Sequence, residues 1–205
     1  MSSPTEQKVG RDGRPGEYSR LYEEYAYVLD YLPQGRTALA DHRRFMAPMV
    51  QVVGESYLTL LEAELRPGAQ VAVHERLYIG KEKRDKVNRI VGRIGYPDLT
   101  ASAKSELLTA LEKLIVDQET RFVFFFNNSQ AITSRMHALE LLPGVGKKIM
   151  WQIINARERK PFESFKDIAE RAGIGNPVKL IAKRIVLELS EGGSKYRIFS
   201  RAFRP

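Results

Sequence analysis

Leu139-Glu140-Leu141-Leu142-Pro143-Gly144-Val145-Gly146-Lys147-Lys148-Ile149 is the stretch on which the reading of this chain turns. An apolar run broken by Pro-Gly-x-Gly and resumed behind two lysines reads as helix, tight turn and second helix. Thr133 or Ser134 is placed to cap a first helix running through Leu142. Lys147–Arg157 forms the second, with Ile149, Ile153 and Ile154 inward. The glycines let the backbone turn sharply and leave no side chain in the way of an approaching phosphate. Amides around Gly144, Val145 and Gly146 stand at the N-terminus of the second helix, where free N–H groups and the helix dipole favour an anion. Lys147 and Lys148 add charge beside them, and the carbonyls of the turn could hold a monovalent cation. A contact of this kind touches the nucleic-acid backbone rather than base edges, so it carries no sequence preference.

The pattern recurs. Phe165–Ala172 leads to Gly173-Ile174-Gly175-Asn176-Pro177 and then to a helix through Leu189, and both glycines lie 29 residues beyond their counterparts. A branched residue, Val145 or Ile174, separates the glycines of each turn and can pack inward. In the second copy Asn176-Pro177 replaces Lys147-Lys148. Proline suits the first turn of a helix but has no N–H to offer. Lys179, Lys183 and Arg184 follow, yet the first turn is expected to make the primary contact. Helix, Gly-x-Gly turn and helix in tandem resembles the helix-hairpin-helix motif of DNA-repair and recombination proteins. That resemblance implies a pseudo-twofold unit whose two hairpins grip phosphates.

Charge follows the same division. The chain has 205 residues, 43% hydrophobic and 28% charged, which suits one or two globular domains. Its 33 basic and 25 acidic residues give +8. Residues 1–134 hold 18 of each sign, so the whole surplus, 15 basic against 7 acidic, lies in the last 71 residues. A neutral module joined to a basic one points to a polyanionic partner. With no cysteine, thiol chemistry, disulfides and thiolate metal sites are excluded. No apolar stretch approaches the roughly 20 residues of a membrane helix, and the polar start is no signal peptide, so a soluble cytoplasmic protein without membrane contact is expected.

Working back from the hairpins, residues 1–17 read as a disordered tail. Residues 18–99 read as a five-stranded OB-like barrel, residues 100–130 as linking helices and residues 131–205 as an all-α tandem helix-hairpin-helix domain, an α+β chain as a whole. The strands are placed around Tyr25–Asp30, Pro48–Val53, Tyr57–Leu65, Val71–Ile79 and Ile90–Ile94, separated by turn signals. Thr100, or Ser102 with Glu106 nearby, can cap a helix carrying Leu107, Leu108, Leu111, Leu114 and Ile115. Phe122–Phe126 is assigned to a second, buried helix stopping at Asn127-Asn128. An auxiliary binding face on the barrel would draw on Arg36, Arg43 and Arg44 in the loop after the first strand. Lys81, Lys83, Arg84 and Lys86 would join them, with Tyr31, Tyr57 and Tyr78 for stacking.

Catalytic signatures are weaker. Asp167 lies 21 residues after Gly146, near where helix-hairpin-helix glycosylases carry an aspartate, but Ser164-Phe165-Lys166-Asp167 is a capping pattern. His42, His74 and His137 have no ligand spacing, so no metal site is expected. Trp151 is read as a core anchor. The module order resembles the Holliday-junction binding family of bacterial recombination. Phe124-Phe125-Phe126-Asn127, His137-x-Leu139-Glu140-Leu141-Leu142-Pro143-Gly144-x-Gly146, Pro161–Ile168 and Lys195-Tyr196-x-x-Phe199 together resemble an archaeal family of unknown function, described as RNA-binding, over about residues 20–203. The expected function is non-catalytic, sequence-independent binding of DNA or RNA. Docking to a protein partner is the alternative, and a DNA-repair activity ranks last.

Overall fold

Alternation of period two organises the first half of the chain. Strands β1 (Tyr25–Leu32), β4 (Met49–Gly54), β5 (Leu60–Leu65), β6 (Arg76–Tyr78) and β7 (Val87–Arg93) form one antiparallel sheet in the order β6-β1-β4-β5-β7. The computed structural model describes residues 22–37, 44–45, 47–190 and 195–200. Ala26, Val28, Val50, Val52, Leu61, Ala63, Leu65 and Leu77 fill the inside of the curl, whereas Tyr27, Leu29, Val53 and Leu60 point the other way into a core shared with the helices. Successive side chains of a strand face opposite sides. Burial on both sides explains why β4 is apolar on both faces but for Gln51. The sheet is a half-barrel, with β6 and β7 as its two edges.

Several sequence expectations shift here. The strand placed at Val71–Ile79 shrinks to Arg76–Tyr78, because Ala72–Glu75 forms a turn with His74 at φ +64°. The strand placed from Tyr57 begins only at Leu60, since Leu58 sits at φ +54° in the preceding turn. Glu23 holds that turn: its buried carboxylate accepts the N–H groups of Ser56, Tyr57 and Thr59 at 2.8–3.1 Å. Arg36 and Arg44 belong not to an open loop but to a small ladder of β2 (Arg36–Thr37) and β3 (Arg44–Phe45). Arg43, His42 and the tail at 1–17 lie outside the described residues.

Helix α1 (Ala101–Asp117) lies on the outer face of the half-barrel and opens where Thr100 caps Ala103 N–H. A buried polar cluster fixes that start. Gln51 donates to Glu62 (3.0 Å) and to the Asp98 carbonyl, and accepts from Thr100 N–H (2.9 Å); the Thr100 hydroxyl donates to Asp30 (2.6 Å). Every polar group of Gln51 is satisfied, as a fully buried amide requires. Farther along, the Tyr27 hydroxyl donates to Asp117 at 2.6 Å, and burial followed by this acceptor pushes the phenol well above its ordinary range.

Helix α2 (Glu119–Asn128) follows as expected, with Phe122 and Phe126 buried, but Phe124 is 64% exposed rather than in the core. The helix expected from Thr133 or Ser134 through Leu142 does not form. Strands β8 (Ala131–Thr133) and β9 (Met136–His137) make a hairpin there, and only a 3-10 turn, Ala138–Leu141, precedes the glycines. The physical reason is local: the His137 Nδ1 accepts Leu139 N–H while Glu140 accepts His137 N–H, so the helical start is set four residues late. Helices α3 (Lys147–Arg159), α4 (Phe165–Ala172) and α5 (Pro177–Ser190) follow. One apolar core runs from Tyr27 and Leu29 through α1 and α2 to Val145, Ile153, Ile168, Ile174 and Ile185.

Candidate nucleic-acid interface

Two turns share one backbone plan. Gly144 and Gly173 have φ +82° and +67°, the left-handed region that glycine enters without strain. Val145 and Ile174 next to them are buried in the common core and hold the turns down. Gly146 is the N-cap of α3, whereas Gly175 stands one residue before Asn176, which caps α5. A Cβ placed on any of the four glycines would meet no atom within 4 Å, so the backbone there faces open space. Crowding therefore does not explain glycine at position 146, whose φ of −86° any residue can adopt.

What differs between the turns is the treatment of the helix starts. At α5 the Asn176 side chain accepts Lys179 N–H at 2.9 Å, and Pro177 occupies the first position without an N–H. At α3 no side chain caps the helix; its first helical bond is Met150 N–H to the Gly146 carbonyl at 2.9 Å. The N–H groups of Lys147, Lys148 and Ile149 precede that bond and are the donors a helix start leaves over. Lys147 and Lys148 are exposed, and among the described residues neither ammonium has an acidic partner. Val145, expected to offer its amide, does not: its N–H is spent on the Leu142 carbonyl at 3.0 Å.

Of the basic residues expected around the second turn, Lys179 and Lys183 are exposed. Arg184 is not part of that surface. It is 8% exposed, with its Nε on the fully buried Glu188 (2.9 Å) and an Nη on the Tyr196 carbonyl. Glu188 also accepts the N–H groups of Ile198, Phe199 and Ser200, so the pair clasps the segment 196–200 against α5. On the sheet, Lys81 and Lys83 are exposed, with the Lys81 ammonium 4.5 Å from the Tyr22 ring centroid. Arg84 instead donates to the Gly80 carbonyl at 2.7 Å, and Lys86 pairs with Glu75. Tyr78 receives Glu82 N–H at its hydroxyl, and Tyr31 is exposed. No side-chain position for Arg36 or Arg44 is described.

Asp167 takes up the capping role. Ser164 caps its N–H at 3.1 Å, and its carboxylate accepts Glu163 N–H and pairs with Arg171 at 2.9 Å. Arg171 in turn donates to the Ala156 and Lys160 carbonyls at 2.6 Å, finishing α3. Among the described residues no group of histidine and carboxylate side chains is arranged to hold a metal ion, and no helix is long and apolar enough to cross a membrane.

Trp151 overturns its expectation as a core anchor: it is 57% exposed. It borders a groove of about 430 Å³ between α3 and the β8–β9 hairpin, lined also by Arg135, Met136, Lys147, Met150 and Ile154. The helical period held the clue, since Met150, Ile153 and Ile154 define the buried face of α3 and Trp151 lies off it. Arg135 had no such signal, because the hairpin that presents it was read as a helix.

Residues 22–201 match a family described as protein of unknown function, DUF655. The chain belongs to this family. An uncharacterized protein of Methanocaldococcus jannaschii is 49% identical over 179 residues, 87% of this chain and 80% of that protein. The crystal structure of Af1531 from Archaeoglobus fulgidus, from the same family, matches with a TM-score of 0.79 and 50% identity over 87% of this chain and 100% of that one. The membership expected from the resemblance therefore holds. Several residues that carried it serve the DUF655 scaffold: Asn127 exchanges two hydrogen bonds with the Phe162 backbone (2.8 and 2.9 Å), His137 and Glu140 set the 3-10 turn, and Phe199 packs on Phe122 and Phe125.

Proposed function

We propose that this protein binds DNA or RNA through backbone phosphates, without catalysis and largely without regard to sequence. In this reading the two Gly-x-Gly turns act as a helix-hairpin-helix pair, with the 3-10 turn Ala138–Leu141 in place of the first copy's leading helix, set beside an OB-like, partly open barrel. The observation that carries it is the uncapped, open N-terminus of α3, flanked by two lysines without an acidic partner among the described residues, within the segment that holds the whole charge surplus. Phosphate oxygens would accept from the Lys147, Lys148 and Ile149 amides while the ammonium groups supply charge. The second turn, already capped by Asn176, contributes Lys179 and Lys183. Lys81 and Lys83 form what remains of an auxiliary face on the sheet. A monovalent cation on hairpin carbonyls belongs to the same proposal; exchanging potassium for tetramethylammonium at constant ionic strength then weakens binding.

The test is a salt series on single-stranded and duplex DNA and RNA. Affinity falls linearly on a log–log plot, and Lys147→Ala/Lys148→Ala flattens the slope for duplex DNA by about 1.8, two phosphate contacts at ~0.9 each. Wild-type affinity and slope in the double variant would sink the reading. Protein docking is the second reading, favoured by the exposed Phe124 on α2. It predicts a partner retained after nuclease treatment and lost in Phe124→Ala.

A further inference from the structure

The groove beside α3 combines features that a phosphate site alone does not need. Trp151 stands one helical turn beyond Lys147, so its indole and that ammonium share a face of α3. Across the groove the β8–β9 turn presents Arg135, exposed and without an acidic partner among the described residues. Met136, Met150 and Ile154 give the floor apolar and sulfur atoms, which suit the face of an aromatic ring. The opposite wall is held by hydrogen bonds. His137 caps its own turn, and Arg157 ties α3 to the end of α2, just ahead of the hairpin, through the Ser129 carbonyl (2.9 Å) and the Phe126 carbonyl (2.8 Å). An aromatic plate, a rim of Arg135 and Lys147 set against the single carboxylate of Glu140, and an apolar floor lie next to free helix-start amides. The volume, about 430 Å³, is at the lower end of small-ligand sites and suits one nucleobase with its sugar.

We infer that the groove between α3 and the β8–β9 hairpin takes an unpaired nucleotide, its base stacked on Trp151 and its phosphate on the α3 amides. The inference rests on the phosphate-binding reading above and narrows the ligand to a single strand, a loop or an extrahelical base. A base held in a duplex is stacked on its neighbours and presents no free face, so the paired form gains only the phosphate contact. Arg135 and Lys147 would then bracket the sugar-phosphate chain on either side of the stacked base.

The chain contains a single tryptophan, so its fluorescence reports this groove alone. The full chain is titrated with a fluorescein-labelled twelve-residue single-stranded RNA, the DNA strand of the same sequence, and the blunt duplex of each. Anisotropy reads total binding and Trp151 emission reads stacking. The single strands quench Trp151 at the concentration where anisotropy rises, whereas the duplexes raise anisotropy without quenching. Trp151→Ala weakens the single strands about 5- to 150-fold, the range for losing one stacked base. It leaves duplex affinity unchanged, and Trp151→Phe keeps most of the single-strand affinity. A preference of RNA over DNA strand assigns the 2′-hydroxyl a part in recognition; equal affinity assigns it none, and both fit the groove. Binding of single strands with unchanged emission, or equal weakening of strand and duplex by Trp151→Ala, overturns the inference while leaving the phosphate reading intact. Absence of any anisotropy change with all four probes removes both.

Discussion

Gly146 separates what the fold needs from what the ligand needs. Replaced by serine, it gains a side chain at the N-cap of α3, in a backbone conformation (φ −86°, ψ 179°) that serine adopts freely. The new Cβ meets no atom within 4 Å, so nothing must move. Serine caps helices better than glycine by a few tenths of a kcal/mol, because its hydroxyl oxygen accepts one of the leftover N–H groups. Those are the amides of Lys148 and Ile149 offered to the phosphate. Gly146→Ser is therefore expected to raise stability slightly and to weaken binding. Losing one charge-assisted hydrogen bond of about 1.5–3 kcal/mol corresponds to roughly 10- to 150-fold in affinity. Gly144→Ala works the other way. Its φ of +82° places an L-residue in the left-handed region at about 1–2 kcal/mol, or a fall of roughly 2–8 °C in melting temperature for a chain of this size. Thermal unfolding by circular dichroism and a salt-controlled anisotropy titration on both variants give the comparison. Unchanged affinity in a stably folded Gly146→Ser protein would refute the assignment of the α3 amides as the phosphate site.

Glu188→Ala leaves the buried Arg184 guanidinium and the amides of residues 198–200 without their acceptor, and breaking such a pair costs about 3–5 kcal/mol; denaturant unfolding showing a loss below ~1 kcal/mol would contradict the clasp. His137 is held below the ordinary histidine value of 6.5, first by burial and then by the Arg157 charge, against opposing effects of Glu140 and the Ser129 backbone. The unfolded chain takes up the proton first, so the stability contributed by neutral His137 is complete above about pH 6.5 and is lost as pH falls through the lower folded value. An NMR titration of His137 with its midpoint below 6.5 checks the sign. His137→Asn, which can still cap, should remove this part of the pH dependence.

Much of the scaffold was legible because its causes are local. Thr100 and Ser164 begin helices through bonds that span three residues. The alternation in β1, β4 and β5 follows from the pleat. The helix expected before Pro143 failed for an equally local reason, the early cap formed by His137 and Glu140. Periodicity cannot see it, because the apolar residues 138–142 suit either a helix or a single 3-10 turn.

By itself, the sequence determined the duplicated Gly-x-Gly turns, the confinement of the charge surplus to the last 71 residues, and the inward-facing Val145 and Ile174. Each depends on residue type at a fixed spacing: glycine for the left-handed φ, a branched side chain to anchor the turn, lysine for charge. Only the tertiary structure decided that Arg184 is buried against the segment 196–200 and that Trp151 faces a groove. Those outcomes rest on which groups lie across from one another once the chain has packed. Arg184 is recruited by a segment 12 residues away, and Trp151 is left free because the core is already filled by Met150, Ile153 and Ile154. A side chain's availability is set by its neighbours in space, and the linear order of residues does not contain them.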